Sequence, residues 1–376
     1  MQEKEKFIAG NLVHTGSFEA FVPNSINHEF HFHDNKTLVL LERASAMLGK
    51  LNYLCERLPL NIYISMLILQ EALTSSAIEG THASAEEVLD NETKTTNNQE
   101  INNLFDTINA YYNGGCRNKD ISATSTIEDI NKRLFKNIND KKNVGKVRTG
   151  QNFIGGNSEL SALFVPPPEK YLEELLQDLE DFWKNSTLYL PALVKIAIYH
   201  YQFETIHPFN DGNGRTGRLL INLQMKEKEI LKYPVLCLSE YWGKNKGLYY
   251  TALTNVRFSN DIEHWIRFFL ESIIETTKEQ IDTINRIDSF YSNCSNLIIS
   301  NIKAPTKHNE LLEKLFKKPS ITVSIATEIL RIPYQNANKI IQDLVKLGIL
   351  KAKNNNKRNR VFELSGYMDI IFKSIL

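Results

Sequence analysis

Apolar residues recur at helical spacing along most of the chain, and this pattern predicts a mainly α-helical protein. The helical period covers residues 36–78, 101–112, 169–184, 191–203, 218–229 and 261–291. Within the first of these stretches, Pro59 lies between two helices and is expected in the first turn of the second. Residues 191–203 are almost uniformly apolar, which predicts a helix buried at the centre of a domain.

Segments without the helical period separate these helices. Residues 1–35 and 91–100 are irregular or polar and are expected to form loops. Residues 144–156 (VGKVRTGQNFIGG) hold short β-prone stretches between glycines, which predicts a small hairpin. Residues 300–310 are polar and contain Pro305, which indicates a linker.

The C-terminal segment is predicted to fold as a separate domain. One helix precedes a helix-turn-helix, whose second helix spans 335–347, and two β-prone strands follow it. This order of elements is that of a winged helix. Five basic residues and no acidic residue lie between Lys351 and Arg360, so the domain is also a candidate for DNA binding.

Composition narrows the classes of function. The 376 residues correspond to two or three domains. Lys and Arg number 44, as do Asp and Glu, so the net charge is zero, which argues against whole-surface binding to nucleic acid or anionic membranes. The four cysteines form no CxxC pair, which excludes thiolate zinc and predicts reduced thiols. Without a signal peptide or an apolar run of ~18 residues, we expect a cytoplasmic protein that does not enter membranes.

One segment, 207–218 (HPFNDGNGRTGR), concentrates glycines and charged residues between two helices. Gly212 and Gly214 let the backbone curl, so that successive N–H groups can face one anion. The following helix then begins with the positive end of its dipole at that anion. The segment therefore predicts an anion-binding turn.

Charged side chains around this turn indicate phosphate chemistry. Arg215 and Arg218 are three positions apart, which places both guanidinium groups on one helix face, where they suit a polyphosphate. Asp211 is expected to cap the helix, and its carboxylate suits Mg²⁺ that bridges phosphates. His207 stands at the mouth of the turn as a candidate general base.

Three other interpretations of the segment fit less well. Residues 212–217 match the GxGxxG dinucleotide fingerprint, but that fingerprint needs a preceding strand, and the preceding segment here is helical. A Walker A loop needs Lys and then Ser or Thr after its second glycine, and neither is present. A simple helix cap would explain any one of these residues, but not seven polar residues or glycines in one register.

The segment resembles the Fic motif, HPFx[D/E]GNGRxxR, at every defined position. The residues 202–206, 149–156 and 162–168 also resemble this family, and the likeness extends over roughly residues 20–370. Fic proteins mostly transfer AMP from ATP to a hydroxyl group of a protein. The resemblance implies an N-terminal region with an inhibitory helix (1–95), a mainly α Fic catalytic core with a β-hairpin flap (96–295) and a winged helix-turn-helix domain (305–376).

The resemblance also implies roles for the matching residues. His207 would deprotonate the incoming hydroxyl, Asp211 would bind Mg²⁺, and Arg218 would hold the γ-phosphate of ATP. The implied ATP-binding residues are Gly212, Asn213, Gly214, Arg215, Thr216, Gly217, Arg218 and Tyr250. The implied target-positioning flap, which would pair with a protein segment, consists of Gln151, Asn152, Phe153 and Ile154.

A second segment, 75–80 (SSAIEG), resembles the inhibitory motif [S/T]xxxE[G/N] of the same family. Ser75 and Glu79 are four positions apart and share a helix face. The resemblance implies that Glu79 pairs bidentately with Arg218 and so keeps the γ-phosphate away from it. The alternative is an ordinary surface glutamate at a helix end, which would be favoured if the Fic motif were absent.

Two classes of function therefore stay open. The first is an adenylyltransferase that uses ATP and Mg²⁺ to modify a Ser, Thr or Tyr hydroxyl, either of a target protein or of itself, with a homodimer as a candidate state. The second is a nucleotide-sensing regulator that binds DNA through the winged helix. The intact His207 and Asp211 favour the enzyme. A third alternative keeps the enzyme but changes its chemistry, either to AMP removal assisted by Glu79 or to another phosphate transfer.

Overall fold

The computed structural model of the protein describes residues 7–32, 34–89, 95–114, 119–138, 143–353 and 360–372. Its elements confirm the mainly helical fold that the apolar periodicity predicts. The helices up to residue 301 are α1 (Asn35–Arg57), α2 (Ile64–Ile78), α3 (Ala85–Leu89), α4 (Thr96–Tyr112), α5 (Thr124–Leu134), α6 (Leu172–Lys184), α7 (Ala192–Ile206), α8 (Asn213–Glu227), α9 (Leu238–Lys244), α10 (Lys246–Ser259) and α11 (Ile262–Asn301). Short 3₁₀ turns occupy Leu60–Ile62 and Glu169–Tyr171.

The N-terminal segment, which was expected to be a loop, contains a two-stranded hairpin. Strand β1 (Gly10–His14) pairs antiparallel with β2 (Glu19–Pro23). The Phe21 N–H donates to the carbonyl of Val165 at 3.0 Å, which attaches the hairpin to the helical core. The loop prediction is wrong because neither GNLVH in β1 nor EAFVP in β2 alternates apolar and polar residues in the period-2 pattern that predicts a strand.

Several helix ends differ from the predicted ones, and those of α4 and α11 have a clear local cause. Helix α4 begins at Thr96 rather than after residue 100, because the Thr95 hydroxyl accepts the N–H of Asn98 at 3.1 Å and caps the helix. Helix α11 continues to Asn301 because its buried face continues through Cys294 and Ile298. The predicted linker is therefore reduced to the residues between α11 and the next helix.

Helix α7 forms the centre of the core, as its uniform apolarity predicts. All of its residues from Leu193 to Ile206 are buried, and it packs against α6, α8 and α11. Trp242 and Trp265 are also buried, and their ring centroids lie 6.3 Å apart. Because α7 is packed on several sides, it holds the residue that follows it, His207, in a fixed position.

The C-terminal elements follow the predicted order. They are α12 (Thr306–Lys317), β3 (Ser320–Thr322), α13 (Val323–Leu330), α14 (Tyr334–Lys346), β4 (Leu350–Ala352), β5 (Val361–Leu364) and α15 (Tyr367–Phe372). The strands form an antiparallel sheet in the order β3-β5-β4. The predicted turn at 354–356 and the basic Lys357 and Arg358 lie outside the described residues. Across the described ranges, no helix combines the length and apolarity that a bilayer crossing needs.

The contact between α7 and α8 depends on Gly217. A Cβ atom at this position would lie 2.4 Å from Glu204 Oε1 and 3.0 Å from Phe203 Cδ1, both on α7. We expect Gly217→Ala to lower the free energy of unfolding by about 1–3 kcal/mol, because both neighbours are buried and cannot move aside. The measurement is the urea midpoint of the purified variant.

The matched control is Gly247→Ala in α10, where no atom lies within 4 Å of an added Cβ. This control is expected to leave the urea midpoint unchanged or to raise it, because alanine favours helices over glycine. Equal urea midpoints for Gly217→Ala and the wild type would show that α7 and α8 can move apart to accommodate the methyl group without lowering the free energy of unfolding.

Candidate active site

His207 directly follows α7 and adopts a left-handed backbone conformation (φ 49°, ψ 61°). Its N–H donates to the carbonyl of Phe203 at 2.9 Å, which closes the last turn of the helix. Residues other than glycine rarely take a positive φ, and histidine is among those found there more often. This conformation turns the chain out of the core and starts the loop that leads to α8.

The loop between α7 and α8 is held by side chains that bind its own backbone. The Asn213 amide accepts the N–H of Phe209 at 2.9 Å and donates to the carbonyl of Phe209 at 2.8 Å. Asp211 Oδ1 accepts the N–H of Gly212 at 2.6 Å. Gly212, with φ 78°, is the residue that precedes α8, and no side chain caps the helix, so the prediction that Asp211 is the N-cap is wrong.

The first turn of α8, which has no side-chain cap, is a candidate anion cradle. The first N–H groups of a helix have no partner within the helix, and they lie at the positive end of its dipole. The Glu79 carboxylate lies over this turn, since a Cβ atom added to Gly214 would be 2.0 Å from Glu79 Oε1. A Cβ atom at position 214 would therefore displace the Glu79 carboxylate, so glycine at this position lets an anionic group approach the helix backbone closely.

A complete Schellman motif fixes the position of Glu79 at the end of α2. Gly80 has φ 89° and donates its N–H to the carbonyl of Ala77 at 3.1 Å. The N–H of Thr81 donates to the carbonyl of Ser76 at 3.0 Å. The Glu79 side chain is 31% exposed, so it is reachable from solvent while its backbone is fixed.

Arg218 projects from α8 and binds the end of α2. Its Nε donates to Ser75 Oγ at 2.9 Å, and its Nη2 donates to the carbonyl of Ser75 and to Glu79 Oε1, both at 2.8 Å. The guanidinium is buried. The structure therefore places Ser75 and Glu79 against Arg218, through one carboxylate oxygen of Glu79 rather than the two expected.

The charge states of Glu79 and His207 follow from burial and from their neighbours. Burial alone would raise the pKa of Glu79, but the guanidinium of Arg218 outweighs burial and holds that pKa below its usual value. Burial lowers the pKa of His207 to about 4, against the opposing attraction of the Glu79 carboxylate. The imidazole is therefore neutral at pH 7 and able to accept a proton.

Arg215 has different partners from Arg218, although both residues belong to α8. Its Nη1 donates to Glu100 Oε2 at 2.7 Å, and its guanidinium lies 4.9 Å from the centre of the Phe135 ring. The same oxygen of Glu100 accepts the hydroxyl of Thr81 at 2.9 Å. Glu100 therefore links Arg215 to the segment that follows Glu79.

Asp211 is the residue that could hold Mg²⁺. Its carboxylate is 44% exposed, and Oδ1 lies 3.5 Å from Arg215 Nη2. No cluster of three or more His, Cys, Asp or Glu side chains with metal-binding geometry is found in the described part of the chain. The donor set fits Mg²⁺ that takes one protein carboxylate and completes its shell with phosphate oxygens and water.

The four flap residues lie beside the loop between α7 and α8. Gln151 Nε2 donates to the carbonyl of Pro166 at 2.9 Å, and Asn152 Nδ2 donates to the carbonyl of Phe209 at 3.1 Å. The predicted hairpin is reduced to one antiparallel bridge, between Ile154 and Phe164. Its second arm falls beyond residue 156, where the sequence pattern gave no strand.

Tyr250 and Tyr249 have different environments. The Tyr249 ring is buried and stacked on Trp242 at 4.7 Å, and its hydroxyl lies 2.9 Å from Nε2 of His200, so Tyr249 belongs to the core. Tyr250 is 40% exposed. Burial and the Glu79 carboxylate raise the pKa of Tyr250 to about 12, which places this side chain within the electrostatic field of the site.

Three residues of the site were not found by sequence reasoning. Glu100 binds Arg215, and Thr81 binds Glu100. Arg148 binds the backbone carbonyl of His207. Glu100 and Thr81 follow no local pattern, since the partners that give them a role are distant in sequence. Arg148 directly precedes the flap segment at 149–156, and this adjacency was the one available signal.

Residues 121–225 match the model of the Fic/DOC family, and residues 38–114 match the model of the N-terminal region of that family. Both matches agree with the resemblance to the Fic family that the motif at 207–218 indicates. A Fic family protein from Desulfovibrio desulfuricans G20 has a similar structure, with a TM-score of 0.59 at 19% identity over 90% of this chain and 98% of that one. Fic-1 from Caenorhabditis elegans (residues 134–508) gives a TM-score of 0.53 at 21% identity, over 66% of this chain and 73% of that one.

Curated relatives match the chain over shorter stretches. Protein adenylyltransferase fic-1 of Caenorhabditis elegans is 36% identical over 121 residues, which cover 31% of this chain and 22% of the relative. Protein adenylyltransferase Fic of Aedes aegypti is 30% identical over 174 residues, which cover 46% of this chain and 31% of the relative. The chain therefore spans less than a third of the length of these two relatives.

Proposed function

We propose that this chain is a protein adenylyltransferase, which transfers the AMP group of ATP to a hydroxyl side chain of a protein. The observation that carries the proposal is the placement of His207 at the end of α7, of the uncapped first turn of α8 and of Arg218 around one loop, where burial lowers the pKa of His207. Two relatives that are named protein adenylyltransferases support the same activity.

The proposed reaction is an in-line displacement at the α-phosphorus of ATP. The hydroxyl oxygen of the target forms a bond to this phosphorus while His207 takes the hydroxyl proton. The bond from the α-phosphorus to the bridging oxygen of the β-phosphate breaks, and pyrophosphate leaves with that electron pair. The N–H groups of the first turn of α8 would stabilise the charge that develops on the phosphate oxygens.

Mg²⁺ would supply charge neutralisation to the ATP phosphates. Asp211 would hold it, because its carboxylate is exposed at the mouth of the anion cradle. Arg218 would hold the terminal phosphate once it is released from Glu79. Tyr250 is the exposed aromatic residue near the site that could face the adenine.

A protein segment is the proposed second substrate. The flap residues 151–154 lie beside the loop that carries His207, and Asn152 fixes the flap to the carbonyl of Phe209. A target segment that pairs with the flap backbone would bring its hydroxyl towards the imidazole. Backbone pairing gives little side-chain selectivity, so the acceptor can be Ser, Thr or Tyr.

We also propose that Glu79 inhibits the enzyme. Its carboxylate lies over Gly214 and binds Arg218, so it takes the place that an ATP phosphate would need. Two like charges cannot share the cradle without a large repulsion. ATP would then bind in a pose that does not align the α-phosphorus with the incoming hydroxyl.

Two positions of the radioactive label distinguish the proposed reaction from its alternatives. The Glu79→Gly protein is incubated with Mg²⁺, a cell lysate and ATP that carries ³²P at either the α or the γ position. Label uptake is counted as the increase over the same lysate without the variant, because kinases of the lysate transfer the γ-phosphate by themselves. AMP transfer predicts that this increase carries the α label and not the γ label, because the γ-phosphate leaves with pyrophosphate. An increase in the γ label would identify a kinase-like reaction instead, and an increase in neither label would contradict group transfer from ATP.

The C-terminal unit is proposed to be a winged helix. The sheet order β3-β5-β4 beside the α13–α14 pair supports this proposal. Gln335, Asn336 and Lys339 are exposed near the start of α14, where a recognition helix would face DNA. DNA binding, self-modification, a homodimer and a cytoplasmic location stay predictions from the sequence.

A further inference from the structure

Arg148 is a buried cation whose hydrogen-bond acceptors are all backbone carbonyls. Its Nε donates to the carbonyl of His207 at 3.0 Å, and its Nη2 donates to the carbonyl of Ile206 at 3.4 Å. Its Nη1 donates to the carbonyl of Gly150 at 2.8 Å, and Nη2 also reaches that of Pro167 at 2.5 Å. The side chain is buried, and burial lowers its pKa to about 10, so the group stays charged at pH 7.

These carbonyls belong to two parts of the site that are distant in sequence. Ile206 and His207 form the end of α7 and the left-handed residue after it. Gly150 directly precedes the flap residues 151–154, and Pro167 follows Phe164, which pairs with Ile154 in the antiparallel bridge. The main-chain N–H of Arg148 adds a bond to the carbonyl of Pro208 at 2.9 Å. One residue therefore joins the backbone of the candidate base to the start of the flap and to the segment that pairs with its end.

The chemistry of the guanidinium group explains why arginine suits this place. The last carbonyls of a helix lack partners within the helix and lie at the negative end of its dipole, where a cation is favourable. A planar fork with five N–H donors can reach several carbonyls at fixed angles, which the single ammonium of lysine cannot do. The contacts also stabilise the positive φ of His207, a conformation that needs support from its surroundings.

We infer that Arg148 is a positioning residue for AMP transfer, because its one guanidinium holds the backbone of the base, the start of the flap and the segment that pairs with the flap in a fixed relation. This inference rests on the proposed function. Arg148 does not contact the first turn of α8, so it affects the alignment of the hydroxyl and the imidazole rather than the binding of ATP.

The test is Arg148→Lys, with Arg148→Gln as a second variant, both in the Glu79→Gly background. Initial rates of α-³²P label uptake by lysate protein are measured over a range of ATP concentrations with Mg²⁺. We expect the rate at saturating ATP to fall roughly 10- to 100-fold, as for a displacement of about 1 Å in a reacting group. The ATP concentration at half-maximal rate is expected to change by less than about threefold, because the phosphate cradle is intact.

The matched control is Lys195→Met in the same background. Lys195 is a buried cation near the start of α7, and its Nζ donates to the carbonyl of Asn185 at 2.9 Å. Its loss removes a buried cation–carbonyl bond from the same helix, at the end far from His207. We expect its labelling rate to stay within about twofold of the parent, because the base and the flap keep their positions.

Each of the following outcomes would overturn the inference. A parental rate in Arg148→Lys and Arg148→Gln would overturn the inference. An equal fall in Lys195→Met, a loss of ATP affinity, or unfolding of both Arg148 variants would assign Arg148 to stability alone and would also overturn it. If the Glu79→Gly parent takes up no label, the proposed function itself fails, and the inference falls with it.

Discussion

Glu79→Gly is expected to raise the rate of AMP transfer about 10- to 100-fold above wild type. In the wild-type protein the Glu79 carboxylate lies over the first turn of α8 and accepts a hydrogen bond from Arg218 at 2.8 Å. A hydrogen bond to a charged group contributes about 1.5–3 kcal/mol, which ATP must overcome before its γ-phosphate reaches the arginine. The substitution removes that competition and opens the cradle. The measurement is α-³²P label uptake by lysate protein, with wild type and variant side by side.

The control for this prediction is Glu86→Gly, which removes a carboxylate from α3 that pairs with Lys353 rather than with Arg218. We expect it to label at the wild-type rate. Residue 79 lies at the end of α2, where glycine is tolerated, but the substitution leaves buried Arg218 with only the Ser75 hydroxyl and carbonyl as acceptors. We therefore expect it to lower the free energy of unfolding by about 1.5–3 kcal/mol, as for the loss of a hydrogen bond to a charged group. If wild type and Glu79→Gly bind ATP equally and label equally, Glu79 does not inhibit the enzyme.

Replacing His207 is expected to lower AMP transfer by about 10²–10⁴-fold in the Glu79→Gly background, which is the usual effect of losing a general base. ATP affinity should change little, because the phosphate cradle consists of the first turn of α8 and Arg218. Rates come from label uptake, and affinity comes from calorimetric titration with an ATP analogue that cannot be cleaved between the α- and β-phosphates.

Two variants separate the chemistry of His207 from its backbone conformation. Alanine is strained at the observed φ of 49°, whereas asparagine adopts this region readily and has no basic group. Both His207→Ala and His207→Asn should lose activity, and His207→Asn should keep the urea midpoint closer to that of the parent. His264→Ala, at an exposed position of α11, is the control and should label normally. Parental labelling by His207→Asn would show that another group takes the proton.

The order of local elements could be predicted from the sequence because local chemistry determines it. The uniform apolarity of 191–203 predicted the buried α7, and Gly212 lies in the predicted turn, although α8 already begins at Asn213 rather than at residue 218. The short β1–β2 hairpin and the start of α4 were missed, because five-residue strands and a polar first turn carry weak periodic signals. The single bridge from Ile154 to Phe164 was missed for a different reason: its two arms are separated by a loop that has no pattern of its own.

The assignment of partners depended on the tertiary structure. Two arginines on one helix face looked equivalent in the sequence, yet Arg215 binds Glu100 and Arg218 binds Ser75 and Glu79. A buried charge takes whichever partner the fold brings to it, because an unpaired charge in the interior is costly. The sequence alone predicted a candidate base, a candidate anion-binding turn and a candidate inhibitory carboxylate. Only the tertiary structure decided that the carboxylate lies over the turn, because α2 and α8 meet through contacts that are distant along the chain.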